Sequence, residues 1–194
     1  MIGDQMKNRN WVCVLVVSLF AFVRPATAQE IVHALTGTVS TIDPSNKTIT
    51  VFQDSGSAST FKVMTSAKTR ISFDEEVSKA STPAKEFEKQ GSYAILFYYG
   101  MDQNRTAVAV KGLGEGPFSS TKGQVTDWDG HSHTLVVTSQ DGAKHTFKVG
   151  EETVAETYSG AVDGSDFRVE KGDRVRVVSS GKGGNRTALF VRLM

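Results

Sequence analysis

The residues of this chain best suited to chemistry are three histidines that fall close together in the sequence. His131 and His133 lie in one loop with Asp129, and His145 begins the next strand-like segment. Imidazole and carboxylate groups are ligands for Zn²⁺ and similar ions. A tight intervening turn would put His145 opposite about Thr138, five residues from His133 along the strand pair, or roughly 16 Å at ~3.3 Å per residue. One ion cannot span that distance, and the loop lacks a fourth ligand, so we expect solvated histidines and assign no metal ligands.

Other patterns that could carry catalysis or cofactor binding are incomplete. The run Asp127-Trp128-Asp129-Gly130 resembles part of a calcium loop but lacks the closing Glu that such a loop needs. The chain contains no Gly-x-Ser-x-Gly elbow, no phosphate-binding loop and no His-Glu-x-x-His motif. The aromatic run Phe97-Tyr98-Tyr99 ends a predicted strand and suits either a ligand face or, more simply, a contact between domains. We therefore predict a protein that is not an enzyme, with no catalytic residue and no cofactor.

The first 28 residues have the pattern of a secretory signal peptide. Lys7 and Arg9 precede an almost wholly apolar segment, residues 11–23, and Ala26-Thr27-Ala28 supplies a small-x-small cleavage pattern before Gln29. An apolar segment of 13 residues is short of the roughly 20 that a membrane-spanning helix needs. We expect cleavage before Gln29, no membrane span in the mature chain, and a periplasmic or secreted protein; a retained signal segment stays the alternative.

Charge and cysteine content narrow the possible partners. The whole chain has 22 Lys and Arg against 21 Asp and Glu; removal of Lys7, Arg9, Arg24 and Asp4 with the signal segment leaves 19 against 20. Nucleic-acid binding depends on many cations that neutralise phosphates, so this balance argues against it. The single cysteine, Cys13, lies in the signal segment. The mature chain would then have neither disulfides nor thiol chemistry.

The mature region contains one sequence unit twice, and this is its most informative feature. The two copies align at an offset of 86 residues at three sites and 81 at two further sites, so five residues are missing from the second copy. A Gly- and Pro-containing linker, residues 112–117, separates them. We predict domains at about 30–113 and 118–194. The matching segments are 36–43 with 122–129, 48–51 with 134–137, 60–63 with 146–149, 91–96 with 172–177, and 104–107 with 185–188.

Within each copy the apolar residues recur with a period of two, which is typical of β-strands with one buried and one wet face. Val175 and Val177, for example, alternate with Arg174 and Arg176. In copy 1 a short helix is predicted between the third and fourth strands, with Pro83 at its first position. Five strands in 75–85 residues suit a Greek-key barrel of the OB type. The fold class is therefore all-β, with two tandem five-stranded OB-like barrels.

The repeated pattern resembles an exported bacterial family that is known only as a domain of unknown function and often occurs in tandem. The resemblance is carried by Gly-x-Val-x-x-(Ile/Trp)-Asp, Thr-(Ile/Leu)-x-Val, Phe-x-Val, a Gly-Asp-x-Val-x-Val strand and a final Ala-x-x-Val. It covers nearly all of the mature chain but rests on core and turn positions. It therefore implies the fold and export, and no activity.

A more distant resemblance is to the small OB-type periplasmic copper chaperones. That family binds copper through two Met just upstream of its Phe-x-Val strand, together with a His and a stacked Trp. Phe61 and Phe147 match the family's Phe, but the Met positions hold Ser57 and Ser59 in copy 1, and Ala143 and His145 in copy 2. Thioether ligands select Cu(I), so the resemblance implies the barrel but not the copper site.

Three functions are compatible with these patterns. The leading hypothesis is a non-enzymatic exported module that binds another envelope or extracellular protein through its barrel faces or the groove between them. The alternative is a periplasmic metal-handling protein that uses the loop with His131 and His133. A third is an oligosaccharide or oligonucleotide binder that uses the OB face, although the charge balance argues against nucleic acid.

Overall fold

The computed structural model describes residues 29–66, 81–183 and 186–194, and the signal segment predicted for residues 1–28 lies outside them. The regular secondary structure of the described residues is almost entirely β. No helix in these residues is long and apolar enough to cross a membrane. The first half contains β1 (His33–Asp43), β2 (Thr48–Gln53), β3 (Ala58–Val63), β4 (Thr82–Pro83), β5 (Tyr93–Tyr99) and β6 (Thr106–Gly112). The second contains β7 (Ser119–Asp129), β8 (Thr134–Ser139), β9 (Lys144–Lys148), β10 (Val154–Thr157), β11 (Gly160–Asp163), β12 (Arg174–Ser180) and β13 (Arg186–Leu193).

Each half closes into a five-stranded barrel. In barrel 1 the strands follow the order β1-β2-β3-β6-β5 and return to β1, with β3 and β6 parallel. In barrel 2 the order is β7-β8-β9-β13-β12 and back to β7, with β9 and β13 parallel. This circular order with one parallel closure is that of the OB barrel. The predicted fold class is confirmed.

The two barrels are built alike down to the register of their first hairpins. Both long first strands shift register at the same place, between Val39 and Thr41 and between Val125 and Asp127. Just before each shift stands a glycine: a Cβ added to Gly37 or to Gly123 would lie 2.3 Å from a carbonyl oxygen of the neighbouring strand. Any other residue would force the hairpin apart at these two positions.

The predicted core positions are buried in both barrels. Phe61 and Phe147 are completely buried, and Ile49 and Leu135 are 1% and 0% exposed. Each pair belongs to the interior cluster of its own barrel. The period-two pattern therefore assigned the inward faces of these strands correctly.

Two local elements differ in detail from the expectation. The short helix of copy 1 is a single 3₁₀ turn, Ala84–Glu86, which ends because Phe87 is extended and buried against the core of barrel 1. In barrel 2 the corresponding region contains an unpredicted hairpin, β10–β11, whose first strand runs parallel to β13. This hairpin extends the sheet of barrel 2 towards barrel 1.

Candidate functional site

The histidine loop of barrel 2 is organised by Asp129 as a tight turn. The backbone N–H groups of His131 and Ser132 donate to Asp129 Oδ1 at 2.9 and 3.1 Å, and the Ser132 hydroxyl donates to Oδ2 at 2.6 Å. These hydrogen bonds lower the pKa of Asp129 to about 2. The Asp129 carboxylate therefore already accepts the hydrogen bonds that hold the loop closed.

The three histidines do not converge on one point. The His133 ring lies perpendicular to that of Trp128, with ring centres 6.4 Å apart, and its Nδ1 is buried with no hydrogen-bond partner. His145 lies opposite Val137, one residue from the predicted position, because the chain turns between Ser139 and Ala143. There it contacts the Ser139 hydroxyl and Arg186. Within residues 29–66, 81–183 and 186–194, no three His, Cys, Asp or Glu side chains are placed to hold a metal ion.

The more extensive constellation lies where the barrels meet. An apolar cluster crosses the boundary: Ile95 and Phe97 from β5 pack with Val178 and Phe190 from β12 and β13. Tyr99 packs against the same cluster, whereas Tyr98 faces the core of barrel 1. The aromatic run predicted as a domain contact or ligand face is therefore split, with Phe97 and Tyr99 in the contact.

A polar network lies beside this apolar cluster. Asp54, from the β2–β3 turn of barrel 1, accepts hydrogen bonds from Thr36 and Tyr93 of the same barrel, at 2.7 and 2.6 Å. Arg176 of barrel 2 donates to Asp54 at 3.1 Å and to Thr36 Oγ1 at 3.0 Å, and its guanidinium stands 5.8 Å from the centre of the Phe190 ring. Burial and the hydrogen bond to the Asp54 carboxylate raise the pKa of Tyr93. The guanidinium thus links the two barrels through one shared carboxylate.

Glu156 on β10 makes the reciprocal contact, from barrel 2 into barrel 1. Its Oε1 lies 2.8 Å from His33 Nδ1, and its Oε2 accepts the backbone N–H of Ala34 at 2.7 Å. Burial raises the pKa of Glu156 although these bonds and the nearby Arg192 favour its charged form. The pKa of Tyr98 is also raised, mainly by burial and further by the negative charge of Glu156.

The β10–β11 hairpin makes this contact possible. Gly160 at its turn has φ +108°, and a Cβ there would lie 2.6 Å from the carbonyl oxygen of Val32. The next residue, Ala161, donates its N–H to that same carbonyl at 2.7 Å. A side chain at position 160 would separate the hairpin from the start of β1.

Beside these contacts an open cleft of about 850 Å³ lies between the barrels. Barrel 1 contributes the loop between β5 and β6, with Met101 and Arg105, and barrel 2 contributes the ends of β10 and β13. Three of the five large hydrophobic side chains that are exposed in the described part of the chain line it: Met101 at 81%, Tyr158 at 79% and Met194 at 44%. Four cations and two carboxylates also line the cleft: Arg105, Lys122, Arg176, Arg192, Asp102 and Glu156.

This arrangement is suited to binding. Guanidinium and ammonium groups recognise carboxylates and other anions, and Tyr and Met supply adaptable apolar contacts. A volume of this size falls within the range of ligand sites, and the mixture of Tyr, Met and Arg is typical of protein interfaces. We name this constellation the interdomain cleft.

Sequence reasoning anticipated a groove between the barrels and singled out Tyr98, which lines it, as part of the aromatic run, but it identified none of the charged residues that line the cleft. Arg176 was expected on a wet strand face, yet it is only 6% exposed because barrel 1 covers that face. A signal was available in the repeat itself. At the position equivalent to Arg176, copy 1 has Ile95, a buried aliphatic residue. A cation at that position in copy 2 indicates that this face of barrel 2 has different contacts from the same face of barrel 1.

Searches for similar proteins do not add a family. No protein-family model matches the chain, and no curated protein matches it significantly.

Proposed function

We propose that this protein is an exported, non-enzymatic module of the bacterial cell envelope that binds another protein in its interdomain cleft. The signal pattern of residues 1–28 supports export. The two barrels act as one scaffold, because a shared apolar cluster and two buried charge contacts hold them together. A rigid scaffold of this kind presents loop and strand-end residues to a partner at little entropic cost.

The observation that supports a protein partner is the concentration of exposed apolar side chains at the cleft. Exposed large hydrophobic residues scattered singly need no explanation, whereas a group of them beside cations marks an interaction site. Met101 and Tyr158 come from different barrels and are about four-fifths exposed. A partner that covers both would bury apolar surface from each barrel at once.

Cross-linking in the native cell tests this proposal. The full-length tagged protein is expressed in its own host, cross-linked and purified, and co-purifying proteins are quantified by mass spectrometry. The cleft variant Met101→Ser/Tyr158→Ser and its two single variants are compared with Phe52→Ser, which removes one large apolar side chain that is 52% exposed on β2, outside the cleft.

We expect at least one envelope protein to be captured by the wild type and by the Phe52→Ser protein but lost from the cleft variant. Thermal denaturation of all these proteins ensures that only folded chains are compared. Capture that does not depend on Met101 and Tyr158 would refute the cleft as the binding site.

The alternative function, metal handling by the loop of His131 and His133, has one favourable observation: the unpartnered Nδ1 of His133. Two histidines on one loop leave coordination positions open and must be ordered on binding. We therefore expect calorimetric titration of Cu(I) or Zn²⁺ into the tag-free mature protein to give nothing tighter than about micromolar. A one-to-one submicromolar isotherm that is abolished by His131→Ala/His133→Ala would favour metal handling instead.

A further inference from the structure

The sheet of barrel 2 presents a transverse row of charges to the interdomain cleft. Strand register places Lys122 on β7 opposite Arg176 on β12, Arg176 opposite Arg192 on β13, and Arg192 opposite Glu156 on β10. All four line the cleft. Side chains of directly opposed residues project from the same face of a sheet, with Cβ atoms about 5 Å apart. Three cations therefore stand side by side along one line.

Only one of these three cations has a carboxylate partner. Arg176 pairs with Asp54, while Glu156 at the end of the row is bound by His33 and the Ala34 backbone N–H. Among the described residues, neither Lys122 nor Arg192 forms an ion pair. Within the same residues, Lys122 faces the cleft without a counter-ion, and Arg192 lies close enough to Glu156 to favour its charged form but makes no ion pair with it.

A third cation without a carboxylate partner enters the cleft from barrel 1. Arg105 donates to the Asp102 carbonyl at 2.8 Å, and its guanidinium lies 4.7 Å from the centre of the Phe61 ring. These contacts fix the orientation of the guanidinium but do not neutralise it. The free positive charges of the cleft thus come from both barrels.

The fold does not require Lys122 and Arg192 to flank Arg176. Like charges on directly opposed strand positions destabilise a sheet. In barrel 1 the equivalent register positions hold Thr36, Ile95 and Lys111, so only one of the three residues is a cation. Barrel 2 therefore tolerates a repulsive arrangement that barrel 1 avoids. Such a cost in stability is common where binding determines which residues occupy a position.

The character of the cleft favours an acidic peptide as its occupant. Carboxylates complement Lys122, Arg192 and Arg105, and apolar side chains complement Met101 and Tyr158. A nucleic acid would need a longer track of cations and more stacking surfaces than this cleft offers.

On the basis of the proposed function, we propose that the interdomain cleft binds an acidic segment of the partner protein, in which Asp or Glu residues are interspersed with apolar ones. Lys122 and Arg192 bind the carboxylates, and Tyr158 with Met101 contacts the apolar side chains. The affinity is then dependent on salt, since exposed charge pairs are screened.

A peptide array tests the inference. Three sets of capped peptides share the same Leu and Phe positions and carry Asp and Glu, Asn and Gln, or Lys at the others, and each is titrated with the full mature protein. The test variant is Lys122→Gln/Arg192→Gln. The matched control is Lys62→Gln/Lys144→Gln, which removes two exposed lysines outside the cleft.

We expect binding in the acidic set alone, weakened about tenfold or more by the test variant and changed less than about twofold by the control. The test variant should also be at least as stable to urea as the wild type, since it relieves repulsion around Arg176. A destabilised test variant would show that these cations have a structural role and would overturn the inference.

The other outcomes are equally decisive. Equal binding of the neutral set, preference for the Lys set, or stronger competition by single-stranded DNA than by the acidic peptides would each contradict an acidic segment. If no peptide binds while cross-linking still depends on Met101 and Tyr158, this inference fails and the proposed function stands. If the cross-linking is also independent of the cleft, both fail.

Discussion

The substitution Asp54→Asn tests how strongly the polar contact between the barrels stabilises the protein. Asn keeps an acceptor oxygen at the same place but removes the negative charge that lies 3.1 Å from Arg176 Nη1. The Arg176 side chain is only 7% exposed, and its cross-strand neighbours are Lys122 and Arg192. The variant leaves a buried guanidinium among like charges without its counter-ion.

The size of the effect follows from the burial of each partner. Loss of one member of a buried ion pair costs about 3–5 kcal/mol of the free energy of unfolding. Because Asp54 is 18% exposed and Asn can still accept a hydrogen bond from Tyr93, we expect the lower end, about 3 kcal/mol. Arg176→Ile introduces the residue type that barrel 1 has at Ile95. Combined with Asp54→Asn, it should cost about 1–2 kcal/mol less than the sum of the two single changes.

Urea denaturation followed by the fluorescence of Trp128 measures these free energies. The control is Asp141→Asn, the same chemical change in the exposed turn of the β8–β9 hairpin, where the carboxylate contacts only its own turn. We expect this control to have little effect. Equal losses for Asp54→Asn and Asp141→Asn, or strict additivity with Arg176→Ile, would refute a strong contact between the barrels.

Three further predictions concern the core, the pH dependence and processing. Phe147→Ala should lower the free energy of unfolding by about 3–5 kcal/mol, because the side chain is completely buried; a loss below about 1 kcal/mol in urea denaturation would contradict a core role. Burial raises the pKa of Glu156, so the native state holds this proton more tightly than the unfolded chain and stability falls as the pH rises through that pKa. Glu156→Gln should flatten this slope in denaturation experiments between about pH 4 and 8, and an identical slope would exclude Glu156 as its source. Intact-mass analysis of the exported protein should give the mass of a chain that begins at Gln29. A mass that includes residues 1–28 would contradict cleavage and indicate a tethered protein.

Local patterns were sufficient to predict the interior of each barrel. Ile49 and Leu135 were placed in the cores from period-two alternation and from the repeat, and both are buried. Alternation works here because successive side chains of a strand project to opposite faces, so the pattern reports directly which residues share a face. The agreement of two copies strengthened each assignment, since the same residue types recur at the same register.

The same rule placed Arg176 on the face opposite Val175 and Val177 but led to the wrong environment. That face is wet in an isolated barrel, and the structure covers it with barrel 1. Alternation says which residues share a face and nothing about what packs on that face. The β10–β11 hairpin was missed for a related reason: strands of four residues are too short for a period to be recognised.

By itself, the sequence determined two all-β barrels and their core residues, because turns and alternation depend on residues close together in the chain. Only the tertiary structure decided which residues line the cleft. Its contacts join residues far apart in the sequence: His33 and Glu156 are 123 positions apart, and Thr36 and Arg176 are 140 apart. Whether a charge on a strand face stays in water, pairs across a boundary or lines a site depends on which surfaces associate. That association is set by the combined shape and apolar area of both barrels, which no local pattern contains.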